Sequence, residues 1–112
     1  MPNDLKTYRQ TLLDLYLRLP DTPCRVSRHD GRLVQQLWER GIPLTTAETA
    51  LLLASLRRAA RRPDAIPLGP IRSLHYFLPV IEELLRTPLP HGDAYLAYLR
   101  SKVTQRPDIV AY

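Results

Sequence analysis

The chain has 112 residues, 45% of them hydrophobic, with 4 glycines, 11 prolines and a formal charge of +5. That length suits one domain, and that apolar content suits a packed core rather than a disordered chain. So few glycines leave little material for tight hairpins, which argues against an all-β fold, and the lone cysteine, Cys24, excludes an intrachain disulfide.

Asn3 or Asp4 can cap a first helix. Leu5, Tyr8, Leu12, Leu15, Tyr16 and Leu19 then share one stripe at helical spacing, with Lys6, Arg9, Gln10 and Asp14 off it. Pro20 disfavours helix in the residue before it and should end the element near Arg18 or Leu19. Residues 20–25 read as a loop, with Pro20 and Pro23 holding it extended or turned. Cys24 lies there with no base fixed beside it, so it reads as an incidental loop cysteine.

Ser27-Arg28-His29-Asp30 approximates a capping box for a second helix, whose apolar face is Leu33, Val34, Leu37 and Trp38. Gly41 follows the last periodic residue and can take the left-handed conformation that closes helices. After Ile42-Pro43-Leu44, Thr45-Thr46-Ala47-Glu48 predicts a second capping box and a third helix. That helix is apolar almost all round in its first half, which predicts a central position. Its end carries Arg57, Arg58, Arg61 and Arg62, which complement the negative helix terminus even without a ligand.

Residues 63–70 form a proline-rich connector, too apolar at Ile66 and Leu68 to be a flexible linker, so packing is expected. Pro70 suits the first turn of a fourth helix with Ile71, Leu74, Leu78, Ile81 and Leu85 on one stripe. Pro79 interrupts it and predicts either a kink or two short helices meeting near Phe77. Asp93 can cap a fifth helix bearing Tyr95, Leu96, Leu99 and Val103, and fraying is expected from Thr104 onward.

Catalytic and metal-binding patterns are missing. His29, His75 and His91 are scattered, and no HxxxH, ExxH, CxxC, GxGxxG or P-loop spacing occurs. Glu82 and Glu83 are adjacent on a helix and diverge by about 100°. A non-enzymatic protein with no cofactor and no metal is expected. Residues 1–4 do not lead from a basic region into an apolar run, so no signal peptide is expected. The longest apolar block, Ala50–Ala54, falls far short of the ~18 residues of a membrane span, which makes the cytoplasm the expected compartment.

Two features speak to partners. The segment from helix two through the Gly41 turn into helix three has the lengths of a helix–turn–helix. However, Thr45-Thr46-Ala47-Glu48-Thr49 holds no Arg, Lys, Asn or Gln to read base edges, and a generic αα-hairpin explains the same spacing. Of the 16 basic residues 14 are Arg, and Arg25–Arg62 holds eight of them against Asp30, Glu39 and Glu48. Guanidinium forks suit phosphate, and such contacts position a protein without specifying sequence.

Trp38-Glu39-Arg40-Gly41-Ile42-Pro43-Leu44, followed by Ile71-Arg72-Ser73-Leu74-His75-Tyr76-Phe77, resembles a pattern in small all-helical bacterial proteins without an assigned role, some encoded near replication or mobile-element genes. The likeness covers Trp38–Leu85 and implies an association with nucleic acid, with no catalytic residues to carry over.

The expectation is an all-α bundle of four to five helices, with a central third helix and a fourth bent at Pro79. It comprises a helical domain over 1–103 and a tail over 104–112. The expected function is a nucleic-acid-associated accessory role, with phosphate contact from Arg57, Arg58, Arg61 and Arg62 and, secondarily, Arg28 and Arg32. Pairing of the first group with Asp64, Glu82 or Glu83 would remove it from that role. The rival is a protein–protein adaptor or homo-oligomer using exposed Tyr76, Leu51 or Ile109–Tyr112.

Overall fold

The computed structural model describes residues 4–23, 25–60, 64–66, 68–87 and 92–105. Five α-helices follow in order: α1 (Leu5–Arg18), α2 (Arg28–Glu39), α3 (Leu44–Ala59), α4 (Leu78–Arg86) and α5 (Gly92–Gln105), with a 3-10 turn at Leu74–Phe77 before α4. Among the described residues there is no strand. The radius of gyration is 13.7 Å, close to the roughly 13 Å of a folded domain of this length.

The local signals of the first two helices act as their chemistry requires. Asp4 caps α1, its carboxylate accepting the Thr7 N–H at 2.9 Å, and that bond holds its pKa below the ordinary value. Tyr8, Leu12, Leu15, Tyr16 and Leu19 are all buried. Ser27 and Asp30 form a reciprocal capping box on α2. Gly41 closes α2 with φ +72°.

α3 is the hub, packing against α1, α4, α5 and the 3-10 turn. Six consecutive residues, Ala47 to Leu52, are buried, more than one and a half turns, so neighbours cover every side. Its start differs from the sequence expectation. The helix begins at Leu44 with Pro43 at the cap position and no capping side chain, so Thr45 and Thr46 lie inside the first turn. Burial of Ile42 and Leu44 sets that start, overriding the threonine cap, and the Thr49 hydroxyl instead donates to the Thr45 carbonyl at 2.6 Å.

The fourth helix also starts later than Pro70. Two backbone donors are taken elsewhere: Ile71 N–H by the Asp21 carbonyl and Leu74 N–H by Asp30 Oδ1, each at 2.8 Å. Residues 70–73 therefore run as an extended strap. Helix then forms as two pieces meeting at Phe77 and Leu78. Pro79 falls in the first turn of α4, where its missing N–H is no loss. The connector before the strap does not pack as expected, since Ile66 is 83% and Leu68 46% exposed. α5 extends to Gln105, two residues past the expected domain edge, and 106–112, with Ile109–Tyr112, lie outside the described residues.

Candidate nucleic-acid interface

The arginines at the end of α3 are engaged. Arg57 makes a bidentate pair with Glu83 of α4 at 2.9 and 2.7 Å, the geometry a guanidinium fork is built for. Hydrogen bonding to Glu83 raises the pKa of Arg57, and the same contact lowers that of Glu83. Arg58 is more deeply held, its side chain only 10% exposed. It donates to Asp21 at 3.0 Å, to the Gly69 carbonyl at 2.6 Å and to the Tyr76 hydroxyl at 3.3 Å. Burial works against its charge, and the bonds to Tyr76 and Asp21 outweigh that, raising its pKa. Both arginines fasten α3 to its neighbours, Arg57 to one of the carboxylates, Glu83, whose pairing was expected to take it out of a phosphate role. Arg61 and Arg62 lie outside the described residues.

The same sorting applies elsewhere. Arg40 pairs with Glu82 at 2.7 Å, and Arg100 of α5 pairs with the buried Glu48 of α3. Thr11, Asp14, Leu15, Arg18, Glu48 and Arg100 line a cleft of about 250 Å³. Its two carboxylates and two guanidiniums balance, so it presents no net charge to an anion.

Arg28 and Arg32 are exposed and have no carboxylate partner among the described residues. They sit one turn apart on the outer face of α2, in line with Gln35 and Glu39. The buried side of α2, with Asp30, Leu33, Val34 and Leu37, faces the other way. α1 lies alongside and antiparallel: Tyr8 meets Trp38 edge-on at 5.4 Å, and the Tyr8 hydroxyl donates to the Ile42 carbonyl at 2.9 Å. That pairing brings Arg9 to Gln35, at 3.3 Å, and the Gln35 amide in turn donates to Glu39 at 3.2 Å. Lys6, exposed and one turn before Arg9, extends the face. The result is a surface with Lys6, Arg9, Arg28 and Arg32 on two packed helices, against Glu39 at one end.

Lys6 and Arg9 were missed in the sequence because nothing local links α1 to α2. The usable signal was their place off the α1 apolar stripe, on the side that an antiparallel partner leaves open. The helix–turn–helix reading fails on burial, because Ala47, Glu48 and Thr49 are buried and the start of α3 cannot enter a groove. The αα-hairpin reading does not describe the pair either, since α2 packs mainly on α1 and the 3-10 turn rather than back along α3. Leu51, proposed as exposed contact surface, is fully buried.

Among the described residues no three His, Cys, Asp or Glu side chains converge as metal ligands, and no helix is long and apolar enough to cross a membrane. No protein-family model matches the chain, and no curated protein or solved structure matches it.

Proposed function

We propose that this is a non-enzymatic, nucleic-acid-associated accessory protein that holds a phosphate backbone on the outer face of α1 and α2. One observation carries the reading. Arg9, Arg28 and Arg32 share that face without a carboxylate ion pair among the described residues, with Lys6 beside Asp4 at its edge, whereas Arg40, Arg57, Arg58 and Arg100 are each matched to one. The matched arginines hold the fold together. The unmatched ones are free to exchange condensed counterions for phosphate contacts.

No set of base-reading side chains accompanies them, so binding is expected to be sequence-tolerant. With four cations engaged, log affinity for a mixed-sequence duplex should fall against log salt with a slope of roughly −3 to −4. Fluorescence anisotropy over a salt series measures it. Replacing Lys6, Arg9, Arg28 and Arg32 with Ala should flatten the slope and abolish binding at moderate salt. Arg57→Ala should leave the slope intact and lower only stability. Undetectable binding of both duplex and single strands at low salt would end the proposal.

A further inference from the structure

A second surface lies on the other side of α2. Two bonds bracket it: Ile71 N–H to the Asp21 carbonyl, and Leu74 N–H to Asp30 Oδ1. The strap 70–73 is thereby laid along the segment that joins α1 to α2. Asp30 projects roughly 160° away from Arg28 and Arg32 around the helix, so the strap and the α1–α2 basic face are separate. Arg58 fixes the near end of the strap by holding Asp21, Gly69 and Tyr76 at once.

The strap, the connector before it and the segment joining α1 to α2 carry apolar side chains the core does not use. Ile66 is 83%, Leu68 46%, Tyr76 39% and Val26 37% exposed. Arg25, next to Val26 in the joining segment, and Arg72, on the strap, are exposed and have no carboxylate partner among the described residues. Asp64, the carboxylate on the connector, is itself partnered. From Gly69 to Tyr76 the chain is held by backbone and guanidinium bonds and has already lost much of the freedom that docking would remove.

We infer that this strap docks a segment of a partner protein carrying aliphatic or aromatic anchors flanked by Asp or Glu. The anchors cover Ile66, Leu68, Tyr76 and Val26, and the carboxylates meet Arg25 and Arg72. Charge selects this occupant. A second copy would bring the same unpaired arginines against each other, which like-charge juxtaposition penalises. Nucleic acid would satisfy the arginines but offers little aliphatic surface for Ile66 and Leu68. An anionic lipid surface is ordinarily captured by clusters of 4–8 basic residues, and the strap has two arginines.

Selection of displayed random 12-residue peptides on the full chain tests this. Enriched peptides should combine Asp or Glu with Leu, Ile, Phe or Trp. The double variant Ile66→Asp/Leu68→Asp should weaken the best peptide tenfold or more with an unchanged circular-dichroism melt, since both positions are solvent-facing. Arg25→Glu/Arg72→Glu should remove the preference for acidic peptides. The Lys6/Arg9/Arg28/Arg32 alanine variant should bind the peptide undiminished, which keeps this surface distinct from the phosphate face. Failure to enrich any peptide, or enrichment without acidic residues, overturns the inference. So do self-association or anionic-vesicle binding abolished by the Ile66/Leu68 variant, and loss of duplex binding in that variant with the peptide unaffected.

Discussion

Two tyrosines on α1 are buried and yet held differently. The Tyr8 hydroxyl donates to the Ile42 carbonyl, whereas the Tyr16 hydroxyl has no hydrogen-bond partner among the described residues and its ring rests edge-on against Phe77. Tyr8→Phe should cost about 1–2 kcal/mol, because a buried carbonyl loses its donor. Tyr16→Phe should be neutral or stabilising by up to about 1 kcal/mol, because it removes a polar group that burial leaves unsatisfied. Urea denaturation of the two variants distinguishes them. The pair also sets the alkaline limit. Burial pushes both phenols up to about 12, from 10.0 in the unfolded chain. Both stay neutral in the folded state where the unfolded chain would ionise. Their contribution is complete below pH 10 and is lost as pH rises towards 12. Stability measured from pH 9 to 12 should therefore fall across that window in the parent and less steeply in Tyr16→Phe.

At the scale of elements, the joints carry more than the helices they join. Gly41 turns the chain from α2 to α3 with φ +72°, and an added Cβ there would meet nothing within 4 Å. Gly41→Ala should thus cost only the left-handed backbone penalty, about 1–2 kcal/mol. Asp30 does two jobs with one carboxylate: Oδ2 accepts the Ser27 N–H to close the capping box, and Oδ1 accepts the Leu74 N–H of the strap. It is 1% exposed. Asp30→Ala loses the cap and orphans a buried donor, for an expected about 2–4 kcal/mol. If thermal melts place the two variants level, Asp30 acts as a cap alone.

Across the whole molecule, what could be read from the sequence was what local chemistry decides. The stripes of α1 and α2, the Ser27–Asp30 box and the Gly41 stop each depend on residues within a turn of one another. The central place of α3 was legible for the same reason, since a helix apolar on all sides has to be surrounded. The α3 start was not, because burial of Ile42 and Leu44 overrode a sound threonine cap. The delayed fourth helix turned on donors claimed by Asp21 and Asp30, more than forty residues earlier. The candidate face was half legible: Arg28 and Arg32 were picked out as surface arginines, but Lys6 and Arg9 join them only through helix pairing. Arg57 and Arg58 looked free until Glu83, Asp21 and Tyr76 were placed beside them. The exposure of Ile66 and Leu68 contradicted composition, which is the reason those residues draw notice.

The Arg58 contact has a practical corollary for lengthening the chain. One guanidinium holds residues 21, 69 and 76 together, and bonds at Ile71 and Leu74 fix the backbone between the last two. Extra residues spliced after Arg72 would have to break one of those ties or loop out over them. The same insertion next to Ile66 lies outside those ties, at a side chain that is 83% exposed, and exposed loop positions are where foreign sequence is best tolerated. A short Gly-Ser insert should leave the melting temperature nearly unchanged at Ile66 and lower it clearly after Arg72. The first position is then a place to attach a reporter while the helical body stays whole.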